Sequence, residues 1–212
     1  MKNIIIVCAG SLGMEVYTII NTINKSAKLQ GKEIPYNLLG FIDDNLDALR
    51  GKIINASVIG KISDWHCIGD EVYALGVTGE AKINIVSILK ARGCHFETLI
   101  APWSMISSYC EMGEGCFITA YSISAGVTIG SYVDVLGSMI CPGTRIGDYS
   151  TTTGFTVVDN ATIGKGVFVG SHAVISSGVC IGDNSKISAG SIVCNDVKPG
   201  STVFGVPAVE IA

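Results

Sequence analysis

The sequence has few charged residues and none of the features that mark a basic binding surface or a membrane segment. Only 15% of its 212 residues are charged and the formal net charge is −4, which disfavours nucleic acid and anionic membrane surfaces as partners. The apolar segment from Lys2 to Cys8 is too short for a signal sequence or a membrane span. These absences predict a soluble, cytoplasmic protein without membrane insertion.

The eight cysteines lack the spacing of a metal site or a redox pair. The sequence has no Cys-x-x-Cys pair, and no histidine lies at ligand spacing from a cysteine. We therefore expect no bound metal. We interpret the cysteines as small buried thiols in preference to disulfide partners.

The first hundred residues alternate strand-like and helix-like segments, and the remainder does not. The segments are Asn3–Cys8, Leu12–Ala27, Leu38–Ile42, Glu71–Val77, Glu80–Ala91 and Phe96–Ile100. Such alternation predicts βαβ units on a parallel sheet. Because the helical period ends near Ile100, we predict one domain over residues 1–99 and a second over residues 100–212.

In the second half, an inward-facing residue is predicted at every fifth or sixth position. The series is Ile100, Ile106, Met112, Ile118, Ile123, Ile129, Val135, Ile140, Ile146, Thr152, Val157, Ile163, Val169, Ile175, Ile181, Ile187 and Val193. Most steps are of six residues, and the steps of five fall at 118→123, 135→140 and 152→157. A six-residue step matches one flat face of a triangular coil, so the series predicts a parallel β-helix.

Glycine follows the inward residue at one corner of each predicted coil. The glycines are Gly113, Gly130, Gly147, Gly164 and Gly182. We expect glycine there because it accepts backbone angles and a close approach that a Cβ atom would oppose.

These motifs resemble known families at two levels. The repeats 146–151 and 181–186 resemble the hexapeptide-transferase signature, and residues 196–208 resemble the tail that closes such helices. Residues 8–16 and 39–44 are similar to segments of the sialic acid and bacillosamine O- or N-acetyltransferases. That resemblance covers nearly the whole chain. It implies an α/β Rossmann-like N-terminal domain followed by an all-β left-handed parallel β-helix of hexapeptide repeats.

The same resemblance implies a homotrimer and two small-molecule substrates. Acetyl-CoA would lie along the β-helix at subunit boundaries, and the N-terminal domain would present a sugar or nucleotide sugar. Carried onto this sequence, the CoA contacts fall on Thr151, Gly170, Ala189, Gly205 and Pro207. The chain departs from the family pattern at Thr151, which stands where a histidine is common. It departs also at Val206 and Val209, on either side of the closing Pro-Ala.

The predicted substrate site lies at the ends of strands in the first half. Gly10, Ser11 and Leu12 join the first strand to the first helix, where backbone amides can bind a phosphate. Tight packing of the first strand on the first helix is the alternative reason for the two glycines of this loop, Gly10 and Gly13. Asp43 and Asp44 follow the second strand and can accept hydrogen bonds from a ribose or base, although a solvated turn would also explain them.

Two further residues belong to the same predicted site. Gly76 follows a central strand at the expected ligand crevice of an open α/β sheet, and Thr78 lies two residues beyond it.

Acyl transfer needs a general base, and the position where the family carries its histidine reads Pro142 or Cys141. His172 is the sole histidine of the second half and is the candidate for a relocated base, with a surface or subunit-contact role as the alternative. Cys141 is a candidate nucleophile, with buried packing as the alternative. Arg145 could hold a phosphate or be a solvated arginine.

Three functions follow from these residues. The first is a sugar acyltransferase, an enzyme that moves an acetyl or other acyl group from acyl-CoA to an amine or hydroxyl of a sugar or nucleotide sugar for glycan synthesis. The second is a catalytically silent homologue that binds sugar nucleotide or acts as a scaffold. The third is an acyltransferase whose base has moved to His172.

Overall fold

A parallel sheet of five strands lies at the centre of the first part of the molecule. The computed structural model describes residues 1–211 and divides into two compact units, Met1–Pro102 and Trp103 onward. The elements of the first unit are, in chain order, β1 (Lys2–Val7), α1 (Ser11–Leu29), β2 (Tyr36–Ile42), β3 (Val58–Gly60), β4 (Val72–Leu75), α2 (Gly79–Ala91), β5 (His95–Phe96) and β6 (Leu99–Ile100).

The strands of this sheet are all parallel and follow the order β3-β2-β1-β4-β5. Residues 4–7 of β1 are 0% exposed, so the central strand is covered on both faces. α1 buries Val16, Ile19 and Ile20, which recur at helical spacing and form its apolar stripe. The elements match the predicted segments with two exceptions: β3 was not predicted, and the predicted segment Phe96–Ile100 is divided into β5 and β6, which belong to different sheets. Rossmann-like character stays a prediction, since the described chain has only α1 and α2 as helices.

Neither α1 nor α2 is long and apolar enough to cross a bilayer, and the described chain contains no other helix.

The interpretation of the cysteines as buried thiols holds for Cys116, whereas Cys8, Cys110 and Cys141 are half-buried and the other four contradict it. Cys67 and Cys94 form a disulfide, with their Cα atoms 5.8 Å apart. Cys180 and Cys194 are exposed. Sequence spacing could not reveal the pair, because 27 residues separate two cysteines that only the fold brings together.

The second unit is a parallel β-solenoid of short strands. Its strands are β7 (Met105–Ile106), β8 (Glu111–Met112), β9 (Phe117–Ile118), β10 (Ser122–Ile123), β11 (Thr128–Ile129), β12 (Asp134–Val135), β13 (Met139–Ile140), β14 (Arg145–Ile146), β15 (Thr151–Thr152), β16 (Val157–Val158), β17 (Thr162–Ile163), β18 (Phe168–Val169), β19 (Val174–Ile175), β20 (Cys180–Ile181), β21 (Lys186–Ile187), β22 (Ile192–Val193), β23 (Thr202–Gly205) and β24 (Ala208–Glu210).

From β7 to β22, every third strand along the chain stacks on the same side of the solenoid, which gives three faces. The first face has the order β22-β19-β16-β13-β10-β7, and the second has the order β20-β17-β14-β11-β8. Within this unit, the third face has the order β24-β23-β21-β18-β15-β12-β9. Only β24 runs antiparallel to its neighbour, where it closes a hairpin with β23.

The predicted aliphatic column is confirmed. Ile129, Ile146, Ile163 and Ile181 pair in register from one coil to the next, and their exposed fractions lie between 1% and 3%. They belong to one apolar core with the inward residues of the other two faces. Because each strand contributes one inward side chain, a six-residue period suffices to fill the interior.

One member of the predicted series is wrong. Val158, not Val157, pairs with Ile140 and is fully buried, so the third short step runs from Val158 to Ile163. Two adjacent valines left the sequence register ambiguous by one residue, and a one-residue shift moves a side chain to the opposite face. Ile100, in the last strand at one end of the series, is 41% exposed, and its inward position stays a prediction.

Glycine at the predicted corner is required by close approach and not by unusual backbone angles. A Cβ atom on Gly147 would lie 2.7 Å from the carbonyl oxygen of Gly164 in the next coil. A Cβ atom on Gly130 would lie 2.8 Å from the backbone nitrogen of Asp148. Neither glycine has a positive φ; the left-handed positions are instead other corner residues, among them Tyr132, Phe155 and His172.

The aspartate of the Ile-Gly-Asp corners joins neighbouring coils. One carboxylate oxygen of Asp148 accepts a hydrogen bond from the backbone N–H of Ser131 at 3.0 Å. Asp183 accepts from the N–H of Lys165 at 2.8 Å in the same way. The motif therefore combines an inward aliphatic residue, a glycine that allows close approach and a carboxylate that binds the backbone of the preceding coil.

Candidate functional sites

The carboxyl ends of β2, β1 and β4 meet at one edge of the N-terminal sheet. The backbone N–H of Cys8 donates to the carbonyl of Ile42 at 2.8 Å, and that of Gly76 donates to the carbonyl of Val7 at 2.8 Å. The loops that follow the three strands are therefore adjacent. This edge brings together the predicted residues after β1, Asp43 and Asp44 after β2, and Gly76 after β4.

Gly10 and Ser11 lie at the exposed N-terminus of α1. Gly10 is the N-cap residue in an extended conformation, and the first turn of α1 has no acidic side chain. A Cβ atom on Gly10 would meet nothing within 4 Å, so space is open in front of the first helical turn. The unpaired amides and the dipole of a helix start favour an anion at such a position. Leu12, next along the helix, is half-buried.

Gly13 and Gly76 have a packing role. A Cβ atom on Gly76 would lie 2.8 Å from the backbone nitrogen of Gly13 and 2.9 Å from the carbonyl oxygen of Cys8. Gly76 is itself buried. The glycines of this edge thus divide into a pair that allows α1 to pack on the strand ends and Gly10, which faces open space.

Asp43 and Asp44 hold the surrounding loops. Asp43 accepts hydrogen bonds from the backbone N–H of Ala9 at 2.8 Å and of Asn45 at 2.9 Å. Asp44 is exposed and accepts from the N–H of Ser63 at 2.9 Å. Burial, with the negative charges of Asp43 and Asp44, raises the pKa of the Cys8 thiol to about 12. Cys8 therefore stays protonated and is not a nucleophile at neutral pH.

Lys52 is a cation at this edge that the motifs did not reveal. Its ammonium donates to the carbonyl of Ala9 at 2.8 Å. It stands beside the loop from Ala9 to Ser11 because the chain after β2 folds back over the strand ends, and no local pattern marks such a return. Thr78 is the exposed N-cap residue of α2 and makes no side-chain capping hydrogen bond.

A groove of about 410 Å³ lies on the third face of the solenoid and the corner after it. Its walls contain the predicted CoA-contact residues Gly170 and Ala189, and the full lining is Thr153, Phe168, Gly170, Ser171, Lys186, Ile187, Ser188, Ala189 and Thr202. The lining combines apolar side chains and hydroxyl groups with one charged side chain, that of Lys186.

The other three predicted CoA contacts are not part of this lining. Thr151 is buried, and its hydroxyl donates to a carboxylate oxygen of Asp134 at 3.1 Å. Gly205 ends β23, and Pro207 is exposed in the turn before β24.

His172 is exposed beside the groove. It follows Ser171 of the groove wall and belongs to a row of left-handed residues, Gly137, Phe155, His172 and Gly190, at the corner between the third and first faces. We call this row the His172 corner. The imidazole stacks on Phe155 with ring centroids 4.9 Å apart and an interplanar angle of 29°. His172 is exposed despite this stacking, so the imidazole can be approached from solvent.

Cys141 lies at a different corner, between the first and second faces, so the structure does not bring it to His172. Burial and the negative charge of Asp159 raise the pKa of the Cys141 thiol above its ordinary value. The thiolate that a nucleophilic role needs is thereby disfavoured. Pro142 and Arg145 are exposed.

The comparisons with known proteins define first the class of repeat. Residues 160–195 match the family model of the bacterial transferase hexapeptide, six repeats. The coil is thus of the hexapeptide-repeat kind, as the sequence resemblance implied. Among curated proteins, no sequence matches the chain.

Solved structures then show which proteins share the whole fold. A histidine-to-asparagine mutant of perosamine N-acetyltransferase from Caulobacter crescentus, in complex with CoA and GDP-perosamine, matches with a TM-score of 0.80 and 16% identity over 100% of this chain and 98% of that chain. WeeI from Acinetobacter baumannii AYE matches with a TM-score of 0.79 and 22% identity over 100% of both chains.

A third solved structure is similar in fold over nearly the whole chain. The acetyltransferase domain of PglB from Neisseria gonorrhoeae FA1090, in complex with acetyl coenzyme A, has a TM-score of 0.63 and 19% identity over 99% of each chain. The similarity to sugar acetyltransferases is therefore one of fold and repeat.

Proposed function

We propose that this chain transfers an acyl group, such as acetyl, from acyl-CoA to an amine or hydroxyl of a sugar or nucleotide sugar. The observation that carries the proposal is the groove of about 410 Å³, whose walls hold Gly170 and Ala189 next to the exposed His172. Apolar surface interrupted by hydroxyls suits a chain of methylene and amide groups, which is the chemistry of the pantetheine arm. The bound CoA and GDP-perosamine of the Caulobacter enzyme support the same pair of substrates.

His172 is the proposed general base. A ring nitrogen accepts the proton of the attacking amine or hydroxyl as the nucleophile forms a bond to the thioester carbonyl carbon. The carbon–sulfur bond then breaks, and the proton passes from the imidazolium to the leaving thiolate. The backbone and hydroxyl groups of the groove are the available donors for the oxyanion.

The N-terminal unit is proposed to hold the acceptor. We infer a Rossmann-like domain because the strand order β3-β2-β1-β4-β5 is the one in which nucleotide sites form where the order reverses, between β1 and β4. Gly10 and Ser11 at the start of α1 would bind the diphosphate, and Lys52 would supply a positive charge. Asp43 and Asp44, already engaged by backbone amides, retain lone pairs for a ribose or base.

A homotrimer is proposed from the outer surface of the first face. Its outward side chains are largely apolar, namely Met105, Met139, Val157, Val174 and Ile192, and Met105 and Met139 are 69% and 46% exposed. Ser122, between Met105 and Met139, is the one polar residue of this outward row. Monomeric proteins rarely expose large apolar patches. Since the His172 corner borders this face, a second copy packed there would lie beside the groove. Two further points remain predictions: that the coil is left-handed and that the protein is cytoplasmic.

The alternative is a catalytically silent homologue that binds sugar nucleotide or acts as a scaffold. It is favoured by one observation, the presence of Cys141 and Pro142 where the family carries its catalytic histidine. In that case the loops of the N-terminal unit would still bind a nucleotide sugar, but no thiol would be released.

Release of free thiol from acetyl-CoA distinguishes the two functions. The protein is incubated with acetyl-CoA and a panel of nucleotide amino sugars and sugars, and thiol is measured with time. We expect turnover with at least one acceptor, loss of more than about 100-fold in His172→Ala, and wild-type rates in His95→Ala, whose exposed histidine lies in the other unit. Absence of turnover with every acceptor, together with absence of acetyl-CoA binding by calorimetry, would leave the silent homologue.

A further inference from the structure

A disulfide joins an irregular loop of the N-terminal unit to the turn that follows α2. Cys67 lies in the loop between β3 and β4, which we call the 61–71 loop, and Cys94 lies between α2 and β5. Cys94 is 3% exposed, and its backbone N–H donates to the carbonyl of Leu89 at 3.0 Å. Cys67 is only half-buried, and its neighbours along the chain are exposed. The bond therefore connects a surface loop to the core, and a dissolved thiol can approach it from the Cys67 side.

Arg92 holds the same loop from the same turn. It is the C-cap residue of α2, and its guanidinium donates to the backbone carbonyls of Ile62 at 2.9 Å, Ser63 at 2.7 Å and Trp65 at 2.8 Å. Because Arg92 and Cys94 are two positions apart, the guanidinium and the disulfide form one joint between the turn and the loop. Arg92 binds the first part of the loop, and the disulfide binds the part that follows.

The end of the 61–71 loop is fixed to β4. The Glu71 carboxylate accepts hydrogen bonds from the backbone N–H of Ile68 at 2.7 Å and from the Tyr73 hydroxyl. That hydroxyl accepts from the indole N–H of Trp65 at 2.9 Å. These bonds do not involve the disulfide, so we expect the loop to loosen and not to unfold when the disulfide is broken.

The start of the 61–71 loop reaches the proposed acceptor site. The backbone N–H of Ser63 donates to a carboxylate oxygen of Asp44 at 2.9 Å, and the N–H of Asp43 donates to the carbonyl of Gly60 at 3.0 Å. Since Arg92 binds the carbonyl of Ser63, this one residue connects the joint with the carboxylate of Asp44. A shift of the loop is therefore transmitted to the site through Ser63.

We propose that the Cys67–Cys94 disulfide is a reversible redox switch that controls how tightly the N-terminal unit binds its nucleotide-sugar acceptor. The inference rests on the proposed function, in which Asp43 and Asp44 contact the ribose or base. With the disulfide formed, the loop holds Ser63 against Asp44 and the site is preformed. With the disulfide reduced, the loop samples more conformations, so ordering it on binding costs conformational entropy and the affinity falls.

A dithiol reductant operates the switch. One of its thiolates attacks the sulfur of Cys67, the accessible side, and forms a mixed disulfide, while Cys94 leaves as a thiolate and takes up a proton. The second thiol of the reductant then displaces Cys67, so the reductant becomes a disulfide and the protein gains two electrons and two protons. Disulfides that form in the cytoplasm, the predicted location, are usually transient or redox-sensing.

Calorimetry on the full chain measures binding of UDP, GDP and dTDP before and after treatment with dithiothreitol. We expect reduction to weaken the binding of at least one of them by about 5- to 150-fold, the usual range for coupling between two sites. Cys67→Ser should bind as the reduced wild type does and should not respond to dithiothreitol. Cys194→Ser, which removes an exposed free thiol, should respond as the wild type does.

Peptide mapping identifies the redox state in each of these samples. Protein equilibrated with air should yield a peptide in which Cys67 is linked to Cys94. After dithiothreitol, both cysteines should be recovered as free thiols.

Ser63→Pro tests the connection to Asp44. Ser63 is the second residue of a turn closed by the hydrogen bond from the N–H of Trp65 to the carbonyl of Ile62 at 3.3 Å, and proline is favoured at that position. Proline removes the N–H that Asp44 accepts, whereas Ser63→Ala keeps it. We expect Ser63→Pro to bind nucleoside diphosphates equally in both redox states and Ser63→Ala to keep the response of the wild type.

Three results would overturn the switch. These are absence of the linked peptide from protein equilibrated with air, equal affinities of the oxidised and reduced wild type, or a response in Ser63→Pro as large as in Ser63→Ala. Equal affinities would leave the proposed acceptor site intact and remove only the switch. Absence of nucleoside diphosphate binding in both redox states would refute the acceptor site, and the switch with it.

Discussion

Backbone crowding at the corner glycines limits which residue each coil can carry there. At Gly147 an added methyl group would lie 2.7 Å from the carbonyl oxygen of Gly164 and 2.8 Å from the backbone nitrogen of Lys165. Both atoms belong to the hydrogen-bonded backbone of the next coil and cannot rotate away as a side chain would. We expect Gly147→Ala to lower the free energy of unfolding by about 1–3 kcal/mol.

Gly154 is the matched control for this prediction. A Cβ atom on Gly154 would meet nothing within 4 Å, and Gly154 is not among the residues with positive φ. Gly154→Ala should be neutral or add about 0.4–1 kcal/mol by restricting the unfolded chain. Urea unfolding of the two variants measures the difference, and equal stabilities would refute the crowding explanation.

At the scale of the corner element, the carboxylates of Asp148 and Asp183 stabilise the joints between their coils and the preceding ones. The backbone N–H of Ser131 and, secondarily, the Lys165 ammonium at 3.2 Å hold the pKa of Asp148 below its ordinary value, against the opposing effect of burial. A carboxylate with a lowered pKa in the folded state stabilises the fold above its unfolded pKa. That stability is lost as the pH falls through the folded value.

Asp148→Asn should therefore be less stable than the wild type at neutral pH and converge with it in acid, below the ordinary aspartate pKa of 3.8. Urea unfolding at a series of pH values measures the two curves. Lys165→Met, which removes only the exposed ion pair, should change them less, because the backbone hydrogen bond is the larger cause. A constant difference between Asp148→Asn and the wild type down to pH 2 would contradict this assignment.

At the scale of the whole molecule, the apolar first face governs assembly. Val174 lies on this face between Val157 and Ile192 and is half-buried in the single chain. If copies pack through the face, Val174→Lys buries an unpaired charge at the contact and should convert trimers to monomers. Thr162→Lys, on the exposed surface of the second face, should leave the mass unchanged.

Light scattering coupled to size exclusion measures the mass of both variants. If the wild type is a monomer, the proposed trimer is refuted. If the Val174→Lys variant is still a trimer, the contact between copies lies on another surface. Thiol release should fall with trimer content if the neighbouring copy completes the groove.

Much of the solenoid was predictable because its signal is local. The series through Ile129, Ile146 and Ile163 identifies the coil, since one inward residue per strand and one corner per face repeat at a nearly constant interval. The register failed only at Val157, where its neighbour Val158 has the same shape and nothing nearby could decide between them.

The sequence predicted where the candidate sites lie in the fold, but it did not predict all of the residues that form them. Gly10, Asp43 and Gly76 follow separate strands, and the rule that parallel strand ends share one edge brings them together. No such rule predicts the position of Lys52 or the pairing of Cys67 with Cys94, because both depend on how irregular segments of the chain fold back.

The amino-acid order by itself determined the repeat, its inward residues and the alternation of strands and helices, because each of these depends on neighbours a few residues away. Tertiary structure alone decided that Gly13 and Gly76 pack while Gly10 faces open space. It also decided that Phe155 and His172, 17 positions apart in the sequence, stack as one pair of rings beside the groove. Contacts of that kind depend on the length of every intervening coil, which no local pattern contains.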